Sequence, residues 1–303
     1  MLSNKEIICP INLLDVAHKK KDIPAGIVNA GKMLPMLSVI DAVKENLINP
    51  ILIGDKDEIQ KCAEELQFDI SKYEIIHEPK ENSTAKIAAK LASQGKIKII
   101  VKGHIHTDVL MKEVIKKEYN LLGKTRLSHI WHMTLEKNDK PIIITDGALN
   151  VSPNVKTKMH ILKNVINFCH RIGIEKPKVS VLSATEEVLD SVQSSVEAKE
   201  ITELAKKENL NADVFGPLAF DNSISKKSAG IKGIKNAVAG EADVILVPNV
   251  ETGNALVKMM VYFMGACAAG VVIGSKVPIV ITSRSDDAPA RLASIAAAVV
   301  ALD

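Results

Sequence analysis

The residues best suited to chemistry form a polar segment near the end of the chain, Thr282-Ser283-Arg284-Ser285-Asp286-Asp287. The segment follows an apolar run that predicts a strand and precedes the last predicted helix, where open α/β sheets bind ligands. A helix start presents free N–H groups and a partial positive charge, which suit an anion. Ser283 can donate a hydroxyl hydrogen bond, and Arg284 can hold a phosphate through two N–H groups. We therefore predict an anion site on Ser283 and Arg284, whereas Asp286 and Asp287 have the residue type of helix N-caps.

Two further segments place glycines and short polar side chains directly after predicted strands. Asp146-Gly-Ala-Leu-Asn150 follows the run 141–145, and Pro248-Asn249-Val250-Glu251-Thr252-Gly253-Asn254 follows the run 244–247. The same residue types also form capped turns that need no ligand. Each of the two segments can therefore be interpreted either as a capped turn or as part of a binding site.

Arginine is rare in this chain, with four residues at positions 126, 171, 284 and 291 beside 35 lysines. A compositional bias explains the skew, but planar two-pronged binding of phosphate or carboxylate favours arginine over lysine, so each arginine is a candidate ligand contact. Arg171 is predicted to lie on the surface of a helix. Arg291 remains open between a cleft and the surface.

The composition excludes several classes of protein. Apolar residues make up 47% and charged residues 25% of the 303 residues, which is typical of globular proteins and not of disordered ones. The net charge of +3 is small and aromatic residues are only 3%, so no nucleic-acid partner is expected. Four widely spaced cysteines, no signal-peptide pattern and no convincing membrane span predict a cytoplasmic protein with no membrane partner.

Short β-branched runs alternate with helical patterns over the first 120 residues, which predicts an α/β fold with a parallel sheet covered on both faces. Two consecutive strands are predicted at 127–135 and 141–145. The segment 213–240 is rich in glycine and proline and is predicted to form loops, whereas the alanine-rich helix at about 288–302 is predicted to be buried. We infer two α/β domains, the second starting near His132.

The motif search excludes the common nucleotide sites, because neither a P-loop nor a Gly-x-Gly-x-x-Gly segment is present. His104 and His106 are two residues apart, and His129 and His132 are three apart. No cysteine or carboxylate set completes a zinc site around either pair, so no metal is expected. His104 and His106 lie between a strand and a helix, where they could line a cleft.

Five segments, taken together and in order, resemble the phosphate acyltransferases, the family of phosphate acetyl- and butyryltransferases, and most closely its butyryltransferase branch. The resemblance covers nearly the whole chain. The segments are Asp146-Gly-Ala-Leu-Asn150, Gly216-Pro-Leu-Ala-Phe-Asp221-Asn222, Ala239-Gly-Glu-Ala-Asp243, Val247-Pro-Asn-Val-Glu-Thr-Gly-Asn254 with Lys258, and Ser283-Arg284.

The resemblance implies a fold like that of isocitrate and isopropylmalate dehydrogenases, with two α/β domains flanking a cleft. The first domain would comprise residues 1–131 with 284–303. The second would comprise 132–283 and carry the oligomer contacts of a homo-oligomer.

The resemblance also implies the reaction, in which acyl-CoA and phosphate give acyl phosphate and free CoA, reversibly and with no metal or permanently bound cofactor. In the direction that consumes acyl phosphate, the CoA thiol attacks the carbonyl carbon with help from a carboxylate base. Ser283 would stabilise the oxyanion and Arg284 would hold the phosphate. The residues implied as further substrate contacts are His104, Thr107, Asp146, Asn150, Asn249 and Asn254.

Two departures from the family pattern bear on the acyl group and the base. Acetyl-transferring relatives have an arginine where this chain has Met111, and their base carboxylate matches Ala290 here. A less charged pocket suits a longer acyl chain, so we expect butyryl to be preferred and count Met111 as a substrate contact. Asp286 or Asp287 could replace the missing base, and Arg126 could replace the missing arginine as a second phosphate contact.

Three alternatives remain. The chain could be a phosphate acetyltransferase. It could be a metal- and NAD-dependent decarboxylating dehydrogenase on the same fold, although four arginines are few for binding a di- or tricarboxylate. It could also be a CoA-binding sensor without catalytic activity.

Overall fold

The computed structural model describes residues 2–136, 140–282 and 286–302. The chain forms two compact units. The terminal unit comprises Ile7–Lys124 and Ala269–Asp303, and the middle unit comprises Met1–Glu6 and Thr125–Ala268. The predicted domain limits, 1–131 with 284–303 and 132–283, stay a prediction.

The strands of the described residues are β1 (Ile23–Val28), β2 (Ile48–Gly54), β3 (Ile75–His77), β4 (Ile99–Lys102), β5 (Ser128–Thr134), β6 (Ile142–Thr145), β7 (Lys178–Leu182), β8 (Asp213–Leu218), β9 (Val244–Leu246), β10 (Cys267–Ile273) and β11 (Ile279–Val280). The α-helices are α1 (Ile11–Ala17), α2 (Met33–Lys44), α3 (Lys56–Glu65), α4 (Glu81–Ser93), α5 (Thr107–Val114), α6 (Val155–Arg171), α7 (Gln193–Lys207), α8 (Phe220–Ile224), α9 (Lys226–Ile231), α10 (Val250–Met264) and α11 (Ala288–Val300). A short 3-10 helix spans Lys117–Tyr119.

The sheet of the terminal unit has the strand order β3-β2-β1-β4-β11-β10. Its first five strands are parallel, and β10 is antiparallel to β11. Apolar side chains fill the central strands β1 and β4, whose residues are buried from Ala25 to Val28 and from Ile99 to Val101. Continuous apolar runs of this kind are typical of parallel strands that are covered on both faces. Because β1, β4 and β11 are parallel, their carboxyl ends lie at the same edge of the sheet.

The sheet of the middle unit has the order β5-β6-β9-β7-β8. Strand β5 is antiparallel to β6, and β6, β9, β7 and β8 are parallel. The predicted consecutive strands are therefore confirmed as an antiparallel pair. The loops that follow β6 and β9 leave the sheet side by side, because those two strands are neighbours.

The final helix is buried, as its alanine-rich sequence predicts. Ten residues of α11 are buried, including Arg291 and Ser294. The Ser294 hydroxyl accepts a hydrogen bond from the Gly270 backbone at 2.9 Å and donates one to the Ala290 carbonyl at 2.8 Å. Small side chains thus let α11 pack closely, and the two polar residues on it need partners inside the unit.

The prediction of loops over 213–240 is wrong, because this segment contains β8, α8 and α9. Gly216 and Pro217, which suggest a break, lie inside β8. A proline cannot donate a ladder hydrogen bond, but β8 is an edge strand of the middle unit, where this loss is tolerated. In the described part of the chain, no helix has the length and apolar character needed to cross a membrane.

Candidate functional site

A cavity of about 370 Å³ opens in the terminal unit where β4 and β11 end. The first turns of α2 and the buried face of α11 complete its wall. The described residues that line it are Lys32, Met33, Leu34, Pro35, Ser38, Val101, Lys102, Gly103, His104, Val280, Thr282, Arg291 and Ile295.

The polar part of this cavity is cationic. Lys32, Lys102 and Arg291 line it together with His104, and no acidic residue is among its described lining residues. Lys32 forms an ion pair with Glu58 at 3.0 Å. The amino end of α2 adds a partial positive charge, since no side chain caps it. The cavity therefore suits an anionic ligand.

Backbone contacts between the ends of β1 and β4 position His104. The Gly103 amide donates to the Val28 carbonyl at 2.9 Å, and the His104 amide donates to the Asn29 carbonyl at 2.9 Å. A Cβ on Gly103 would lie 2.5 Å from both carbonyl oxygens, so only glycine allows this approach. The Asn29 side-chain amide donates in turn to the His104 carbonyl. These bonds place His104 at the cavity wall, and its role as a substrate contact stays a prediction.

Arg291 is the residue that sequence reasoning left undecided. It is only 6% exposed, and its Nη1 donates to the Asp286 carbonyl at 2.6 Å. Its Nε atom is buried and has no hydrogen-bond partner in the part of the chain that the structure describes. The structure therefore places Arg291 in the wall of the cavity and not on the surface. The sequence contains only four arginines, and this rarity is the feature that could have identified Arg291 as a candidate ligand contact.

Only two of the four predicted catalytic residues, Asp286 and Asp287, are described by the structure. Ser283 and Arg284 lie outside the described residues, and the preceding Thr282 lines the cavity. Asp287 occupies the N-cap position of α11, but its side chain accepts no capping hydrogen bond. Asp286 is half-buried, and its carbonyl accepts the bond from Arg291. The N-cap interpretation is thus right about the place of Asp287, although its carboxylate makes no capping bond.

Helix α5 carries two of the predicted substrate contacts. Thr107 is exposed at the first position of α5, and Met111 is half-buried one turn later. Met111 is not among the described residues that line the 370 Å³ cavity. His106 precedes the helix, and both its amide and its Nδ1 lie within hydrogen-bond distance of Glu81 Oε1, at 2.6 and 2.8 Å. The hydrogen bond from the His106 amide, with the imidazole beside it, lowers the pKa of Glu81.

In the middle unit, Asp146 holds a turn. Its carboxylate accepts hydrogen bonds from the amides of Ala148, Leu149 and Asn150 at 3.0, 2.9 and 3.3 Å, and from the Asn150 side chain at 2.6 Å. The Asn150 amide group also donates to the Leu127 carbonyl at 2.9 Å. Both side chains are therefore engaged in closing the loop after β6.

The loop after β9 packs against this turn. Asn249 caps α10 by accepting bonds from the Thr252 amide at 3.0 Å and the Thr252 hydroxyl at 2.7 Å. A Cβ on Gly253 would lie 2.6 Å from Gly147 Cα, so glycine allows the close contact of the two loops. The structure thus brings the two loops together. Asn254, which is exposed, has its Nδ2 3.5 Å from the Gly147 carbonyl.

Arg126 also belongs to the middle unit. It is exposed overall, and its Nη1 lies 3.3 Å from the Thr157 hydroxyl. Its backbone carbonyl accepts a bond from the Asn164 side chain at 2.8 Å. One end of the guanidinium is therefore directed by Thr157, which orders the side chain without neutralising its charge.

The second histidine pair is buried in β5. Burial lowers the pKa of His129 to about 4, an effect that the nearby Asp146 carboxylate partly offsets. Burial also lowers the pKa of His132 to about 4. Both imidazoles are therefore neutral at pH 7. Among residues 2–136, 140–282 and 286–302, no group of three or more histidines, cysteines or carboxylates could hold a metal ion.

Comparisons with known proteins point to one family. Residues 73–299 match the profile of the family described as phosphate acetyl/butaryl transferase. The chain is 38% identical to a phosphate acetyltransferase of Rickettsia prowazekii (strain Madrid E) over 94% of this chain and 82% of that protein. It is 35% identical to a phosphate butyryltransferase of Clostridium acetobutylicum over 96% of this chain and 98% of that protein.

Solved structures agree with the sequence comparisons. A branched-chain phosphotransacylase from Enterococcus faecalis V583 superposes with a TM-score of 0.82 at 31% identity, over 92% of this chain and 98% of that one. A 4-hydroxythreonine-4-phosphate dehydrogenase from Klebsiella pneumoniae shares the fold at 10% identity, with a TM-score of 0.59 over 93% of this chain and 100% of that one. The predicted dehydrogenase-like α/β fold is confirmed.

Proposed function

The chain belongs to the phosphate acetyl/butaryl transferase family and is a phosphate acyltransferase, and from this premise we propose that butyryl is the acyl group it transfers best between CoA and phosphate. CoA is a substrate of the family and not a resident cofactor. In the direction that consumes acyl phosphate, the CoA thiol gives its proton to a carboxylate base and attacks the carbonyl carbon. A C–S bond forms, the C–O bond to phosphate breaks, and phosphate leaves with the electron pair.

The observation that carries the butyryl preference is the apolar wall beside the cations of the terminal-unit cavity. Met33, Leu34 and Pro35 form one side of that wall, and Val280 and Ile295 form another. Met33 and Leu34 are 44% and 41% exposed without a ligand, so a bound acyl chain would remove part of their surface from water. Each buried methylene contributes about 0.8 kcal/mol. The two extra methylenes of butyryl over acetyl would then favour butyryl roughly tenfold in kcat/KM.

The remaining site assignments complete this proposal. Ser283 stabilises the oxyanion of the tetrahedral intermediate, and Arg284 holds the departing phosphate. Asp287 is the better candidate for the base, because its carboxylate is exposed and accepts no capping bond. The roles of Arg126, Asp146, Asn150, Asn249 and Asn254 in substrate binding stay predictions, as does the cytoplasmic location.

An acyl-CoA panel tests the acyl group. Thiol release with saturating phosphate is measured for acyl chains of two to six carbons, and butyryl-CoA should exceed acetyl-CoA roughly tenfold in kcat/KM. Leu34→Ala should reduce this ratio, since it removes part of the apolar wall. Leu122→Ala is the matched control, because Leu122 is 42% exposed in the same unit and does not line the cavity.

Two results of this panel would reject the proposal. A higher kcat/KM for acetyl-CoA would make the chain an acetyltransferase. Tight binding of CoA with no thiol release from any acyl-CoA would favour the sensor alternative.

We also propose that the chain is a homo-oligomer in which a second copy covers the end of α10. Met259, Tyr262, Phe263 and Met264 are between 39% and 58% exposed there. Met259 and Met264 also line an apolar cavity of about 620 Å³ within the middle unit. Methionine and aromatic residues are enriched in interfaces, and an apolar patch can pair with its own copy around a two-fold axis.

Phe263→Glu should therefore shift the chain to a monomer, measured by sedimentation equilibrium at micromolar concentration. Ile115→Glu, at a residue 48% exposed in the terminal unit, should leave the oligomeric state unchanged. A wild-type chain that sediments as a monomer would refute this proposal.

A further inference from the structure

The buried guanidinium of Arg291 is not fully satisfied by the protein. Nη1 bonds to the Asp286 carbonyl, but Nε is buried and has no hydrogen-bond partner among residues 2–136, 140–282 and 286–302. A guanidinium stays charged in proteins and has five N–H donors. An unpaired buried donor on a charged group is costly, so natural proteins rarely keep one without a purpose. This cost points to an acceptor that the described residues do not supply.

The surroundings of Arg291 indicate the charge of that acceptor. Arg291 lines the terminal-unit cavity with Lys32 and Lys102, and no described lining residue is acidic. Lys32 already has a partner in Glu58. A buried arginine in a cavity without a lining carboxylate is stabilised by an anion that enters the cavity.

The geometry of the donor indicates a phosphoryl group. Planar guanidinium groups bind the oxygens of phosphate through two parallel N–H bonds. Thr282 and the amino end of α2, which also border the cavity, supply neutral donors. The apolar wall of Met33, Leu34 and Pro35 leaves space beside such a group for a short acyl chain.

We propose that Arg291 is a phosphoryl-binding residue of this cavity, separate from the contacts predicted for Ser283 and Arg284. The inference rests on the proposed function, since acyl transfer supplies the phosphoryl ligand. The Nη1 bond to the Asp286 carbonyl fixes the guanidinium against the start of α11. The phosphoryl group belongs either to inorganic phosphate and acyl phosphate or to CoA.

Initial-rate kinetics of the 303-residue chain separate these two sources. Arg291→Gln should raise KM about tenfold or more for the substrate whose phosphoryl group it binds, with a smaller change in kcat. A rise in KM for inorganic phosphate assigns the first source, and a rise in KM for butyryl-CoA assigns the second. Arg291→Lys should recover part of the loss, because it keeps the charge but not the two-pronged geometry. Arg171→Gln, on the middle unit's α6, is the control and should change neither KM.

Binding without turnover gives an independent readout. Millimolar inorganic phosphate or CoA should raise the melting temperature of the wild type and should raise that of Arg291→Gln less. This readout does not depend on the acyl preference, so failure of the butyryl proposal would leave it standing. Unchanged KM values and an unchanged ligand-induced shift in both Arg291 variants would overturn the inference, and Arg291 would then be a structural residue. If Arg291→Gln fails to fold, the KM values of Arg291→Lys test the inference, and about a threefold rise in KM is then expected.

Discussion

Arg284→Ala is expected to lower kcat/KM for inorganic phosphate by about 10²–10³-fold, because it removes two charge-assisted hydrogen bonds that hold the phosphate while it attacks the thioester carbonyl of butyryl-CoA. The loss should be larger than that of Arg291→Gln. Arg284 follows Thr282 and Ser283 directly, and Thr282 lines the cationic cavity. The measurement is initial-rate kinetics with phosphate varied at saturating butyryl-CoA.

Two controls make this result specific. Arg284→Lys should retain part of the activity, since it keeps a positive charge but not the planar fork. Arg171→Ala replaces an arginine of α6 whose Nε contacts Asn167 at 3.2 Å, and it should leave kcat/KM unchanged. Wild-type activity in Arg284→Ala would show that this arginine does not hold the phosphate. A double variant with Arg291→Gln should lose less than the sum of the two single losses in free energy if both residues bind one phosphoryl group.

The fold was largely readable from local patterns. Short β-branched runs and helical repeats at period 3.6 each report on their own segment, so the α/β alternation and the buried α11 follow directly from them. The ends of β6 and β9 were recognised as places for polar loops. Their contact through Gly147 and Gly253 was not predicted, because it depends on β6 and β9 being neighbours in the sheet.

The features that the local patterns did not predict depend on tertiary structure. Strand β8 was missed because Gly216 and Pro217 disfavour a strand locally, whereas an edge position tolerates them. Arg291 could not be assigned, since a helix that is buried almost all round has no polar face to indicate direction. His129 and His132 have a spacing that invites a metal site on a helix, but residues three apart in a strand point to opposite faces.

The buried histidines of β5 should make the middle unit sensitive to acid. In the folded chain their pKa values are lowered to about 4, against about 6.5 in an unfolded chain. Below pH 6.5 the unfolded state therefore binds more protons than the folded state, and stability falls as the pH falls. Above pH 6.5 the two histidines are neutral in both the folded and the unfolded state, so they do not reduce the free energy of unfolding there. At pH 5 each histidine should have cost roughly 2 kcal/mol of unfolding free energy relative to pH 7.

The strongly shifted carboxylate Glu241 loses its stabilising contribution at a lower pH than the range from pH 7 to pH 5. Hydrogen bonds from Lys178 and Lys226 lower the pKa of Glu241 to about 2 from its usual 4.5, so that its contribution is lost only at more acidic pH. Trp131 is the only tryptophan of the chain, and its ring centroid lies 4.4 Å from that of His129. Its fluorescence therefore reports unfolding at the site of the two histidines.

Urea unfolding followed by Trp131 fluorescence at pH 7 and pH 5 is the measurement. The wild type should lose roughly 4 kcal/mol between these pH values, and His129→Gln or His132→Gln should lose about half as much. His77→Gln, which replaces an exposed histidine of β3, is the control and should behave like the wild type. Equal losses in the wild type and both β5 variants would mean that the acid sensitivity arises elsewhere. A flat profile from pH 7 to pH 5 would mean that the two imidazoles accept protons in the folded chain, and water or a carboxylate such as Asp146 would then have to stabilise that charge.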